Sequence, residues 1–301
     1  MSQIIIDPNY EPRWIENLDP EFYHADKTAV NSSSLKAILR SGFSFKSTFI
    51  DGQKKEPTPA MNFGTLAHMA ILEGQKFREK YVVMPVFEGY TQKGELTTSL
   101  NCKDVKDKRD AWLTEMEFEG RVIVTQEELD KLMRMIDSFM ANSDAVKLLS
   151  EGVTEISGYY PDPETGIVCR IRPDFLSFNL NAQVDVKTVA SCDIDWFRRK
   201  RVEDDEFMYP FQMSMYEEGA SIISKKKIDH AVWVLIENEP PHECVVVPME
   251  EVYREIGGNQ YRTALRKLKK CLTENTWPRR PNIQMMHPSD WYLRKQEILN
   301  G

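Results

Sequence analysis

The chain has 301 residues, 41% hydrophobic and 10% aromatic, with 29% charged side chains and a net charge of −8; it can bury a sizeable core, and no run approaches the roughly 18 apolar residues that a membrane span needs. Five scattered cysteines with no CxxC pair argue against a disulfide framework, a zinc ribbon or an iron–sulfur cluster and read as small buried apolar residues. The opening MSQIIIDPNYEPRW has no basic stretch ahead of an apolar core, so it does not read as a secretory signal, and the expected location is the cytoplasm of a bacterium or of a phage-infected host cell.

Residues 1–30, rich in Pro, Asn and Asp, read as an irregular arm. Residues 31–40, NSSSLKAILR, begin on capping residues and place Leu35, Ile38 and Leu39 at helical spacing, which predicts a short amphipathic helix. After a polar loop containing Pro57 and Pro59, residues 60–74 (AMNFGTLAHMAILEG) predict a buried helix ending on glycine. Residues 84–108 show little periodicity, with Gly89 and Gly94 among polar side chains, and predict a long loop or flexible flap. The capping signature TQEE at 125–128 opens a helix to about residue 138, and a second covers about 143–149.

Beyond this point the period changes. Four short β-rich runs, 155–160, 167–171, 174–178 and 183–188, with turns at 162–166 and 178–181, predict an antiparallel meander. Helices follow at about 193–201 and 209–224, then a strongly apolar strand at 230–236, another at 243–247, and a basic helix over about 250–272. The order predicts an α+β fold with a central mixed sheet flanked by helices.

The negative net charge argues against a nucleic-acid partner only if charge is evenly spread, and it is not. Between residues 261 and 281 seven basic side chains stand against one acid, Glu274, and the runs RRKR (198–201) and KKK (225–227) add further basic spots. Each run taken singly also reads as a solvated face.

The chemistry concentrates at Arg172-Pro-Asp174 and Asp185-Val-Lys187. On a strand, positions i and i+2 share a face, so Asp185 and Lys187 project together while Val186 points into the core, and the turn at 179–181 folds Asp174 back beside them. Paired carboxylates repel unless a cation sits between them, and such hard oxygen ligands suit Mg²⁺ or Mn²⁺; the neighbouring ammonium can orient a water and stabilise charge on a phosphoryl group. Alone, a D-x-K also occurs as a surface ion pair. His68 lies on an otherwise apolar helical run, four positions after Gly64, and by itself fits a satisfied core histidine as well as a ligand. Gln212 and Tyr216 are four apart on a helix, so an amide and a phenol reach one phosphate or water, or simply pack.

His, then P-D, then D-x-K, then Q-x-x-x-Y, in this order, resembles the signature of the RecB-like branch of the PD-(D/E)XK nucleases. The wording at 31–36 (NSSSLK), 61–68 (MNFGTLAH), 155–157 (EIS), 165–174 (TGIVCRIRPD) and 185–188 (DVKT) is similar to that of RecE-type (exonuclease VIII) phage exonucleases. The resemblance covers roughly two thirds of the chain, and the ordered set is far more specific than any member. It implies a restriction-endonuclease-like α/β/α arrangement and a single nuclease domain over 1–301, carrying the arm at about 1–30 and a basic helix and tail at about 250–301.

The resemblance also implies that His68, Asp174 and Asp185 bind metal, with the Val186 carbonyl as a further ligand. Lys187 is then the catalytic lysine, Glu155 acts through a second metal or its water, and Gln212 and Tyr216 hold the scissile region. The implied cofactor is Mg²⁺, with Mn²⁺ as a substitute. The implied activity is digestion of linear double-stranded DNA from the 5′ end, releasing 5′-mononucleotides and leaving a 3′ single strand for a single-strand-annealing protein. A ring-shaped homo-oligomer would supply processivity, with helix 261–270 and Arg198, Arg199, Lys200 and Arg201 lining its channel. Ser33, Ser34 and Arg40 are candidates for a 5′-phosphate pocket. The alternatives are another RecB-like activity, such as a structure-selective endonuclease or a nuclease of opposite polarity, and a catalytically silent DNA-binding module.

Overall fold

A computed structural model of the protein describes residues 4–53, 59–204, 206–288 and 292–294; Pro57 of the expected polar loop and the last part of the expected tail lie outside the described residues. The amino-terminal third holds β1 (Arg13–Ile15), α1 (Pro20–Ala25), α2 (Ser32–Arg40), α3 (Gly42–Phe45) with a π-helical turn at Lys46–Ile50, α4 (Pro59–Leu72) and α5 (Gly74–Lys80). Next come β2 (Tyr81–Val83), β3 (Gly89–Tyr90), β4 (Leu96–Thr97), α6 (Lys103–Phe118), β5 (Val122–Val124), α7 (Gln126–Ala141) and α8 (Ser143–Leu148). The strands β6 (Gly152–Thr154), β7 (Ser157–Pro161), β8 (Val168–Ile171), β9 (Phe175–Ser177) and β10 (Ala182–Val189) follow. The chain continues with α9 (Ile194–Phe197), a π-helical turn at Arg198–Val202, α10 (Tyr209–Ser224), β11 (His230–Glu237), β12 (Cys244–Pro248) and α11 (Glu251–Glu274).

The central sheet runs β12-β11-β10-β9-β6 and is mixed: β10 and β11 are parallel, joined through α10, and the other pairs are antiparallel. The parallel pair β10 and β11 is buried on both faces, alternate residues packing on opposite helical layers. Val184, Val186, Val232, Val234 and Ile236 pack with Leu66 and Ala67 of α4 and with Leu132, Met135 and Phe139 of α7. On the opposite face Ala231, Trp233 and Leu235 meet Phe197 of α9 and Met213 of α10. A further core joins α2, α10 and α11 to the small sheet β1-β7-β8 through Leu35, Ile38, Tyr160, Ile171, Phe211 and Leu265. The arrangement is a mixed sheet between helical layers, as the order of elements predicts. No helix among the described residues is long and apolar enough to cross a membrane.

Four local expectations are corrected. The arm is not irregular throughout: β1 pairs antiparallel with β7, and Ile6 and Val30 bridge to Ile167 and Cys169. Gly74 does not end the buried helix; α4 stops at Leu72 and Gly74 begins α5. Residues 84–108 are not one loop, since they hold the β3–β4 hairpin and the start of α6. Charged side chains surround α6, and Val105 and Met116 alone are buried along it, so the apolar periodicity that reveals a helix is missing.

The fourth correction matters most for the site. The meander is not one sheet: β7 and β8 belong to the small sheet with β1, while β6, β9 and β10 belong to the central one. The break falls at Glu155 and at Arg172–Asp174, where the chain passes between the two sheets. Glu155 has φ 50°, a left-handed conformation that costs a non-glycine residue roughly 1–2 kcal/mol. Its N–H still donates to the Asp174 carbonyl at 3.2 Å, so the two bends stay side by side.

Candidate metal centre

Three segments meet at this break. Helix α4 lies close over β10 at Gly64, where a Cβ would come within 3.3 Å of Thr188 Oγ1; one turn later the same face delivers His68. From the bend before β9, Asp174 accepts the Val186 N–H on its Oδ2 at 2.7 Å. The same oxygen faces His68 Nε2 at 2.9 Å, and His68 Nδ1 lies 3.5 Å from Glu155 Oε1. One donor atom from each of His68, Glu155 and Asp174 thus falls within 4.8 Å of the others.

Asp185 and Lys187 stand beside this cluster on the α10 side of β10. Lys187 Nζ donates to Asp185 Oδ1 at 2.6 Å, and Gln212 Nε2 donates to the same oxygen at 3.1 Å. The Lys187 ammonium sits 5.6 Å from the ring centre of Tyr209. Tyr216, one turn beyond Gln212, is buried near Asp174 and hydrogen-bonded to Ser32. Of the three ligands that the resemblance implies, the structure brings His68 and Asp174 together with Glu155, while Asp185 turns its oxygen to Lys187. The Val186 N–H fixes the Asp174 carboxylate.

Charge and burial compete at every member. Burial alone would keep His68 neutral, but the charge of Asp174 and its hydrogen bond, with Glu155 behind, outweigh it and raise the imidazole from 6.5 to about 9. Burial raises Glu155 to about 7, with Asp174 adding to the shift. Burial likewise raises Asp185 to about 6 although Lys187 opposes it. Burial pushes Asp174 up too, yet the facing charges of His68 and Lys187 hold it below the usual carboxylate value. Lys187 is lowered by burial and raised more by Asp185 and Asp174, so it stays a cation. The His68 ring, its proton favoured by Asp174, therefore stands between the carboxyl groups of Asp174 and Glu155, where a cation belongs. Two carboxylate oxygens and an imidazole nitrogen at this separation suit a divalent ion, the oxygens favouring Mg²⁺ or Mn²⁺ and the imidazole shifting the balance toward Mn²⁺.

Next to the centre, a groove of about 610 Å³ is lined by Ser33, Ser34, Lys36, Arg40 and Arg170 among others, and no carboxylate among the described residues lines it. Ser33 and Arg40 are exposed, whereas the buried Ser34 closes the capping box of α2 with Asn31. Lys36 and Arg170 were not singled out in the sequence. Lys36 donates to the Phe207 carbonyl and feels both Lys187 and Asp185, and burial lowers it to about 8. Arg170 is 2% exposed, lies over the Tyr23 ring, and has no hydrogen-bond partner for Nε or Nη1 among the described residues. The signal for Lys36 was its place four before Arg40 on one helix face; for Arg170, on a β-rich run, there was none.

The basic runs divide. Arg198 pairs with Asp195 and Glu203, and Arg201 lies over Trp196 and Phe207 and acts on Tyr209. Arg199 and Lys200 are exposed, without an ion pair among the described residues. On α11 much of the charge is turned inward on the molecule: Arg262 pairs with Glu218, Arg266 with Glu164 at 2.7 Å, and Lys269 donates to the Thr165 carbonyl.

A mixed sheet between helical layers, with acids and a lysine gathered where the strands leave the centre, defines a PD-(D/E)XK-like fold. Over residues 31–286 the sequence matches the family described as a PDDEXK-like domain of unknown function (DUF3799), and the chain belongs to that family. A solved structure from Eubacterium rectale, titled a "putative exonuclease", shares the fold: it superposes with a TM-score of 0.60 over 92% of this chain and 97% of its own, at 15% identity. No curated protein matches the sequence.

Proposed function

We propose that the protein is a divalent-metal-dependent nuclease that hydrolyses phosphodiester bonds of linear duplex DNA from a 5′ end. The observation that carries this reading is the convergence of His68, Glu155 and Asp174 beside a lysine held by its own carboxylate, Asp185. A Mg²⁺ or Mn²⁺ ion held there supplies Lewis-acid polarisation of the scissile phosphate and a more acidic bound water.

The chain's own groups do the rest. Asp185 and Gln212 keep the Lys187 ammonium aimed at the site, where it steadies the attacking water and the charge that develops on phosphorus. Water oxygen bonds to phosphorus, the bond to the 3′ oxygen breaks, and the water's proton ends on that oxygen. The released unit is a 5′-mononucleotide, and the shortened strand again carries a 5′-phosphate. The groove with Ser33, Arg40, Lys36 and Arg170 holds that phosphate and sets polarity, with Ser34 shaping the turn of α2 beneath it. Arg199 and Lys200 meet backbone phosphates farther out. The sequence resemblance adds a single-strand-annealing partner for the 3′ tail, a ring of identical subunits enclosing the duplex, and action in the cytoplasm.

Purified protein incubated with linear 5′-phosphorylated duplex and Mg²⁺ or Mn²⁺ releases 5′-mononucleotides, and EDTA stops the release. Cutting of closed circles would show a structure-selective endonuclease instead. No hydrolysis with any divalent ion, together with retained DNA binding, would show a silent binding module.

A further inference from the structure

We propose that the carboxyl end of α2 and the segment after α11 form a second phosphate-binding surface, which holds the 3′ single-stranded tail of the uncut strand as it leaves the site. This rests on the 5′-end reading above. Arg40, in the last turn of α2, lines the groove beside the metal centre and two more grooves. One, of about 530 Å³, is also lined by Lys36, Glu206 and Arg280; the other, of about 350 Å³, is also lined by Arg280, Lys267 and Lys270. The three are therefore contiguous around one side chain.

The far wall of this surface is built rather than loose. Trp277 stacks on Phe45 with ring centres 5.8 Å apart, Phe43 N–H donates to the Pro278 carbonyl at 2.9 Å, and the Arg279 guanidinium lies 3.7 Å from the centre of the Phe43 ring. Gly42 leaves room for this, since a Cβ there would stand 2.7 Å from Pro278 Cδ. Arg280 is thereby set opposite Arg40. Arg40, Lys267 and Arg280 have no ion pair among the described residues, and Lys270 reaches Glu274 only at 3.9 Å on the surface. Among the described residues six cations of the two grooves, Lys36, Arg40, Lys267, Lys270, Arg279 and Arg280, stand against two acids, Glu206 and Glu274; the unmatched cations repel one another, and a polyanion relieves that repulsion.

The position selects which polyanion. The groove beside the metal centre takes the 5′-phosphate of the strand being cut, so nothing of that strand extends past it. What does extend past a recessed 5′ end is the complementary strand, unpaired and with its phosphates exposed. A surface continuing from the phosphate groove past Arg40 to Arg280 lies in its path.

The test is binding of wild-type protein, in EDTA, to duplexes of one paired length that are blunt, 3′-overhung or 5′-overhung, measured by fluorescence anisotropy. We expect the 3′ overhang to tighten binding about tenfold over blunt duplex and the 5′ overhang to add nothing. Arg280→Glu, at an exposed position, removes most of that gain, lowers the salt dependence by about one phosphate contact and leaves blunt-end binding unchanged. Equal gains from both overhangs, no gain from either, or a gain that survives the substitution overturns the proposal. Hydrolysis is read separately, so a protein that grips 3′ tails yet cuts nothing with any metal sinks the nuclease reading and leaves this one standing.

Discussion

One carboxylate oxygen, Oδ2 of Asp174, receives the Val186 N–H and faces the imidazole of His68, so protonation of that ring and occupation of the site compete. Because His68 is raised to about 9, a metal entering near neutral pH must displace a proton. Metal affinity should therefore rise with pH up to about 9, and titration calorimetry in buffers of different ionisation enthalpy should show proton release. The sign for stability is the reverse. The raised values of His68, Glu155 and Asp185 favour the folded metal-free protein while each group is protonated. That contribution is lost as pH rises through about 6 for Asp185, about 7 for Glu155 and about 9 for His68. EDTA-treated protein should accordingly lose melting temperature between pH 6 and 9, and added Mn²⁺ should restore most of it at the upper end; a flat profile in EDTA would count against the arrangement. Lys187→Ala should lower kcat about 10²–10³-fold while circular dichroism stays unchanged, because the side chain is half-buried and Asp185 can take up a proton in its absence.

At the scale of elements, position depends on how closely segments approach. Gly64 lets α4 lie against Thr188 on β10, and His68 is one turn away. Gly64→Leu should lift α4 from the strand, weaken Mn²⁺ binding about tenfold or more and keep the helical content, since displacements near 1 Å are enough to disturb such a constellation; unchanged metal affinity would show that the contact does not position His68. The capped helices α2 and α7 were legible because their signals are local: Asn31 with Ser34 and Thr125 with Glu128 both form capping boxes. Helix α6 was not, because it keeps most of its side chains in solvent. The split of the meander was not legible either, since the bend at Glu155 is a backbone choice forced by two sheets and carries no glycine or proline at that residue to announce it.

For the whole molecule, the site depends on a sheet packed on both faces. Trp233 is 2% exposed on β11 and packs with Phe197 of α9 and Met213 of α10, on the strand beside the one that carries Asp185 and Lys187 and in register with Asp185. Trp233→Ala should cost about 3–5 kcal/mol in denaturant unfolding, and near-normal stability would show that this face contributes little. From the sequence alone came the helices with local caps, the strands with two-residue alternation, the order of layers, and the cluster of His68, Asp174, Asp185 and Lys187 as the place to look. Those signals span a turn of helix or a few residues of strand, and the chain carries them wherever it folds. Only the tertiary structure decided that Glu155 faces His68 while Asp185 turns to Lys187 and Gln212, and that Arg170, Lys36, Arg40 and Arg280 line grooves meeting at one helix. Those groups come from segments far apart in the chain, and which of them meet is settled by how whole layers pack, which no local pattern records.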